Sequence, residues 1–265
     1  MHTGLSTDVA TALRRSQASR VRSVLGNWRR WLRIRKSELP WQLWRGAKAP
    51  RGSPDWLIRR EIRYGGFVTD VPRTVVSPAD PRSPVELRLG GMSGGDRMLH
   101  HGYAETYARF LRPFLSRKDI VLAEFGVLSG SGLAIWCDLF PDASILGFDV
   151  DLGHFESNAA RLQRRGAFRR NWPELHKFDQ LLDGPERLEA ILAGRRLAIV
   201  ADDGLHTAAA ILNTWRTVKP HLAPDFVYFV EDFAGLFDKA GGEFEGFDCQ
   251  SFGLMSVVLP RKPQN

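Results

Sequence analysis

Acidic residues close four short apolar runs in this chain of 265 residues: Asp149, Asp179, the doublet Asp202–Asp203 and the doublet Glu231–Asp232. Carboxylates brought to one place repel unless something positive lies between them. A hard divalent cation with oxygen ligands answers that need, and the last two runs can supply three of its ligands. His206 follows Asp203 by three residues and can reach the same place as a general base. The plainer alternative is that Asp202 or Asp203 caps the helix that follows, with His206 a satisfied polar residue at its start. A second pattern precedes these acids. Glu124 and Phe125 end an apolar run, then come Gly126, Gly130 and Gly132, and a second run carries Asp149. Glycines at such a turn allow positive φ and close approach to a ligand, and the following helix start presents unpaired N–H groups. An acid ending the next strand can accept both hydroxyls of a ribose. The unit is suited to an adenosine. Its spacing, G-x-x-x-G-x-G, is not that of the dinucleotide fingerprint, and glycines that merely make a tight turn are the bland alternative.

The elements that must position these groups alternate along the chain. Strands are expected at 120–125, 145–150, up to about 178, 197–201, 226–230 and 254–259. Helices are expected at 103–115, after Ser131, and over 154–165, 184–193 and 207–222. Short apolar strands alternating with amphipathic helices mean a parallel sheet covered on both faces, with ligands beyond the carboxyl ends of its strands. Residues 46–96, rich in Pro and Gly, read as linker and loop with extended pieces at 63–68 and 73–76. The Gly90–Gly95 run can fold over a ligand or serve as a flexible linker. Loops around 85–100 and 233–252 are expected to build the acceptor pocket.

Charge is unevenly spread. Residues 1–63 carry 15 Lys and Arg against 4 Asp and Glu, and the remainder carries 22 against 26. The basic character belongs to the front end, and no nucleic-acid partner is expected. Over residues 10–36 the apolar positions Val21, Val24, Leu25, Trp28, Trp31 and Leu32 recur at helical spacing among arginines, followed by Pro40, Trp41 and Trp44. Tryptophan beside arginine suits a membrane surface, and equally docking on a partner subunit. Two cysteines without a C-x-x-C, no secretory signal and no long apolar run point to a cytoplasmic setting, with peripheral contact at the inner membrane face through residues 10–45 as an option.

The motifs E-F-G-V-L-S-G-S-G-L-A-I-W, G-F-D-V-D, D-Q, A-D-D-G-L-H and V-E-D occur in order between Gly94 and Leu259. Together they resemble the class I S-adenosylmethionine (SAM)-dependent methyltransferases, and more narrowly the metal-dependent macrolide sugar O-methyltransferases and the related cephalosporin hydroxylase-like family. The resemblance implies an α/β fold, Rossmann-like and doubly wound, with a mostly parallel seven-stranded sheet. Composition and punctuation put the methyltransferase domain over 76–265, behind a basic, Trp-rich helical appendage and linker over 1–75 to which the resemblance carries nothing over. The resemblance implies that Glu124, Gly126, Gly130 and Gly132 hold the methionine portion of SAM, that Asp149 takes the ribose, and that Asp179 and Gln180 flank the adenine. Asp202 is counted with these cofactor residues. Asp203, Glu231 and Asp232 would bind Mg²⁺, with His206 as base. G-G-D-R with H-H-G-Y resembles the segment that closes over SAM, implicating Asp96 and Tyr103. The expected reaction is methylation of a hydroxyl on a sugar or glycoside by a homo-oligomeric enzyme. A catechol-type acceptor, a nicotinamide-dependent oxidoreductase and a non-catalytic SAM-binding protein are the alternatives. Leu205 departs from the family's small polar residue and lies where it can reshape an acceptor pocket; Ala223-Pro224-Asp225 departs from a Gly-Gly turn.

Overall fold

The structure is a computed structural model that describes residues 26–261. The chain divides into two compact units, Met1–Arg45 and Gly46–Asn265. The smaller contributes helix α1 over 26–43; the part of the expected amphipathic helix at 10–25 lies outside the described residues. The helix runs through Pro40 rather than stopping before it. Proline removes one N–H from the ladder, and the carbonyl of Pro40 itself accepts the N–H groups of Trp44 and Arg45. No helix among the described residues is long and apolar enough to cross a membrane.

The larger unit is an α/β sandwich around one seven-stranded sheet. In chain order the sheet strands are β3 (Val121–Phe125), β4 (Ser144–Asp149), β5 (Glu174–Lys177), β6 (Leu197–Asp202), β7 (Leu222–Val230), β8 (Phe247–Phe252) and β9 (Met255–Pro260). They are preceded by the two-stranded antiparallel pair β1 (Val68–Val71) and β2 (Met92–Gly94). The order is β5-β4-β3-β6-β7-β9-β8, with the first five parallel, β9 antiparallel to β7 and β8 antiparallel to β9. The order reverses between β3 and β6, which opens a crevice at their carboxyl ends. Register aligns those ends: Phe125 pairs with both Phe148 and Asp202, Asp149 with Lys177, and Asp202 with Val230. Every strand-end acid read from the sequence is therefore delivered to one rim.

Two-residue periodicity divides the core between the two faces. Leu122, Ile199 and Phe229 pack with Leu57, Tyr107 and Trp136 on one side. Ala123, Val200 and Tyr228 pack with Leu188 and Trp215 on the other. The first side is covered by α2 (Pro54–Tyr64), α4 (Ala104–Leu111), α5 (Ser131–Leu139) and α6 (Gly153–Arg164); the second by α7 (Pro185–Leu192) and α8 (Ala208–Val218).

Two segments differ from the sequence expectation. Residues 46–75, assigned there to appendage and linker, belong to the larger unit, and Pro54–Tyr64 is a helix with Leu57, Ile62 and Tyr64 buried. Its punctuating residues are caps: Ser53 accepts the N–H of Trp56, Pro54 occupies the first turn and Gly65 ends the helix. Residues 247–252, expected in a loop, form strand β8 at the sheet edge. Its Asp, Gln and Ser mask the apolar alternation on a strand that is only partly buried. Between β1 and β2 lies a short helix, α3 (Pro84–Leu89), closed by a Ser83–Glu86 capping box, with none of its residues buried.

Candidate active site

A cavity of about 340 Å³ opens over the crevice between β3 and β6. Asp96, Glu124, Gly126, Gly132, Asp149, Asp179, Gln180, Asp203, His206 and Asp232 all line it, as does Leu205. Residues of segments 73–82 and 91–95, from the connection between β1 and β2 and from β2 and its flanks, line its other side. Thr74 donates to Asp151 across the gap, and the buried carboxylate of Glu61 accepts the N–H groups of Met98 and Leu99 at 2.9 and 3.1 Å.

Two glycines answer to steric need. At Gly126, with φ of +90°, a Cβ would lie 2.1 Å from the carbonyl oxygen of Asp203, so the loop after β3 crosses the end of β6 at backbone contact. At Gly132 a Cβ would lie 2.0 Å from Glu124 Oε1 and 2.8 Å from Arg97 Nη1. Gly130 instead begins α5 in the left-handed region and faces Phe155, off the cavity.

Asp149 ties the glycine loop to β4. Its Oδ2 accepts the N–H groups of Val127 and Leu128, at 2.8 and 2.9 Å, and its Oδ1 accepts that of Asp151 at 2.9 Å. Burial still leaves its carboxyl above the ordinary range, against those three backbone bonds. Asp151, given no role from the sequence, lines the same part of the cavity. Gln180 knits the rim: its Nε2 donates to Asp202 and Thr214 and its Oε1 accepts the N–H of Leu205. The Asp179 carboxylate accepts the N–H of Leu181, and Phe148, Phe178 and Leu181 add an apolar wall.

Each acid doublet is split between two environments. Asp202, counted from sequence with the cofactor residues, is buried away from the cavity, where Tyr228 donates to it at 2.9 Å. Burial lifts its carboxyl to about 6, against the hydrogen bonds from Tyr228 and Gln180. Neither Asp202 nor Asp203 caps α8; Thr207 does. Glu231, expected as a metal ligand, is likewise turned inward, accepting from the Tyr107 hydroxyl and from Arg97 Nε at 3.0 Å. Asp232 faces the cavity with φ of +55°, a conformation costly for a residue with a side chain and characteristic of sites held in place by their surroundings. Tyr103, expected beside the cofactor, donates to Asp232 Oδ1 at 2.6 Å, and His101 Nδ1 lies 2.9 Å from the same oxygen.

Arg97 supplies part of the positive charge that the sequence argument required among these acids. It is buried, its Nη2 lies 2.7 Å from Glu124 Oε1 and 2.6 Å from Asp203 Oδ2, and its Nε reaches Glu231. Burial opposes its charge, but Glu231, Glu124 and Asp203 overcome that and hold its pKa well above the ordinary value. Burial pushes Glu124 up to about 7 and Glu231 well above the carboxylate range, both against the pull of Arg97. For Asp232, burial is outweighed by the bonds from His101 and Tyr103, and its carboxyl is held below the ordinary range. The Asp232 bond, opposed by burial, raises His101 to about 9. Nothing in local sequence marked Arg97 or His101 beyond their place next to Asp96 in the glycine-rich segment.

Asp203, His206 and Asp232 place one potential ligand atom each within 4.8 Å of the others. Asp203 Oδ1 and Asp232 Oδ2 lie 3.8 and 3.9 Å from His206 Nε2. Each carboxylate is anchored through its other oxygen, Asp203 by Arg97 and Asp232 by Tyr103 and His101. Two fixed carboxylates offering one oxygen each to a common corner fit a hard divalent cation. Glu124 Oε2 and Arg97 Nη1 are buried with no hydrogen-bond partner among the described residues. That pair of orphans, one acceptor and one donor, fits the ammonium and carboxylate of an amino acid.

The sequence is 27% identical over 173 residues to the mycinamicin VI 2''-O-methyltransferase of Micromonospora griseorubida, covering 60% of this chain and 39% of that protein. It is 26% identical over 190 residues to the 8-demethyl-8-alpha-L-rhamnosyl tetracenomycin-C 2'-O-methyltransferase of Streptomyces olivaceus, covering 65% and 46%. The chain thus spans less than half the length of these curated relatives. Among solved structures, the MycE methyltransferase of the mycinamycin biosynthetic pathway, in complex with Mg and SAH, aligns with 20% identity and a TM-score of 0.47 over 60% of this chain and 50% of that one. No protein-family model matches.

Proposed function

We propose that this chain, as a member of the class I SAM-dependent methyltransferases, transfers the methyl group of SAM to a hydroxyl of a sugar or glycosylated small molecule with the help of Mg²⁺. The sequence relatives support the family, and both are named as O-methyltransferases of glycosylated compounds. The observation that carries the reading is the meeting, in one cavity, of the Asp203–His206–Asp232 corner with the Glu124–Arg97 pair and the Asp149 loop.

Glu124 Oε2 would take the ammonium of the cofactor and Arg97 Nη1 its carboxylate. Asp149 and Asp151 stand at the ribose position, and Phe148, Phe178 and Leu181 beside the adenine. Asp203 and Asp232 would hold the cation, which when bound lowers the pKa of an acceptor hydroxyl and orients it. His206 would act as base, taking the hydroxyl proton on a ring nitrogen, while SAM when bound would supply the methyl group to the acceptor oxygen and leave as S-adenosylhomocysteine. Its Nε2 is too far from either carboxylate for a hydrogen bond, which leaves the ring able to turn toward an acceptor.

The test is calorimetric titration of SAM into wild-type protein and Asp149→Ala, with Mg²⁺ and with EDTA, followed by turnover on glycoside acceptors. Saturable binding that weakens in the variant and metal-dependent turnover are expected. Well-folded wild-type protein that binds no SAM would end the methyltransferase reading.

A further inference from the structure

Helix α1 carries two apolar stripes, and only one is covered. Ile34, Glu38 and Trp41 fall together at helical spacing and are buried. Trp28, Trp31, Leu32, Leu39 and Leu43 form a second stripe that is exposed, Trp28 at 59% and Trp31 at 51%; Trp44, just past the helix end, is also exposed, at 61%, on the cationic side of the stripe. At about 100° per residue, Lys36, Arg29 and Arg33 follow along one border of that stripe, with Arg30 beyond them. All four are exposed. Residues 26–45 hold six Lys and Arg and one acid, Glu38, and that acid is buried and ion-paired with Arg35 at 2.6 Å. The exposed surface of this helix is therefore apolar and cationic, with no exposed acid.

We infer that α1 lies along an anionic lipid bilayer surface, with its Trp–Leu stripe among the headgroups and upper acyl chains and its arginines on lipid phosphates. Three properties select this occupant. Indole rings prefer the boundary between apolar and wet surroundings; two of them sit on the stripe and a third is exposed just past the helix end. Arginine and lysine flanking such a stripe are placed to reach anionic headgroups while their stems cover apolar surface. A second copy of the helix would bring two cationic borders together with no exposed acid to offset them. Nucleic acid would satisfy the arginines and leave Leu32, Leu39 and Leu43 in water. The inference is independent of the reaction carried out by the larger unit.

The test is flotation of the full chain with vesicles of phosphatidylcholine alone and of phosphatidylcholine mixed with phosphatidylglycerol. Wild-type protein is expected to float with the anionic vesicles and not the neutral ones, less so as salt rises. The combined Arg29→Glu, Arg30→Glu, Arg33→Glu variant is expected to lose on the order of a hundredfold in partitioning. The combined Trp28→Ala, Trp31→Ala, Trp44→Ala variant is expected to lose on the order of tenfold. Since these side chains are exposed, circular dichroism of both variants should match wild type. Absence of wild-type flotation, or flotation unaffected by the tryptophan changes, overturns the inference. So does a dimer in sedimentation velocity that the tryptophan variant dissociates while neither protein binds vesicles; that result would assign the stripe to a second copy.

Discussion

Arg97 Nη2 lies 2.6 Å from Asp203 Oδ2, a bond between residues 106 positions apart in sequence that joins the glycine-rich segment to the carboxyl end of β6. The same nitrogen reaches Glu124. One guanidinium thus fixes a carboxylate of the proposed cofactor site and a carboxylate of the proposed metal corner, so the two half-sites share a hinge pin. Arg97→Met should leave three carboxylates without their common cation. Breaking a buried ion pair from one side costs about 3 kcal/mol or more, so a lower denaturant midpoint is expected together with loss of SAM binding. Arg97→Lys keeps the charge but not the fork, and should recover part of the stability and little of the binding. An unchanged SAM affinity in Arg97→Met would show that the arginine is only structural.

The corner can be divided by mutation. Asp203→Asn removes a proposed ligand and should raise the Mg²⁺ concentration needed for turnover by at least about tenfold. His206→Ala removes the proposed base and should lower turnover by roughly a hundredfold or more while leaving the Mg²⁺ dependence in place. If His206→Ala abolishes metal binding, measured by titration calorimetry without acceptor, the histidine is a ligand and the base lies elsewhere.

Gly132→Ala tests the close approach at the start of α5. Alanine favours a helix over glycine by about 1 kcal/mol, yet its Cβ would fall 2.0 Å from Glu124 Oε1. The expected outcome is a protein whose thermal midpoint stays near wild type while SAM affinity falls by about tenfold or more. Equal affinity would mean that Glu124 does not contact the cofactor.

Glu61 supplies a pH prediction away from the metal corner. Burial lifts its carboxyl to about 7 from an ordinary 4.5, against the two backbone bonds from Met98 and Leu99. The raised value means the folded protein holds a proton that the unfolded chain has lost between those two pH values. Its contribution to stability therefore falls as pH rises from 4.5 through 7, and the penalty is complete above 7. Glu61→Gln carries no such proton. Its stability relative to wild type, from urea midpoints across a pH series, should improve through that window and then level off. A pH-independent difference would contradict the assignment.

The acidic strand ends and the glycine loop were readable from the chain alone because they depend on local rules. Short apolar runs alternating with amphipathic helices specify a parallel sheet, and a parallel sheet gathers the residues after its strands on one rim. That places Gly126, Asp149, Asp179, Asp203 and Asp232 together without knowledge of any contact. Pro and Gly misled where they capped a helix, as at Ser53-Pro54 and Gly65, since a cap and a linker have the same composition.

What only the tertiary structure decided is which member of each doublet faces the cavity. Neighbouring residues at a strand end face opposite ways, so Asp202 goes to Tyr228 and Asp203 to the cavity, and Glu231 goes to Tyr107 while Asp232 goes to His101 and Tyr103. The sequence required a positive charge among these acids and could not say that an arginine supplies part of it. Arg97 comes from a distant segment, and only the packing of that segment against β3, β6 and β7 brings its guanidinium between Glu124, Asp203 and Glu231. Local pattern fixes where a side chain leaves the backbone; the partner that neutralises it is set by long-range packing, where the cost of an unpaired buried charge selects the arrangement.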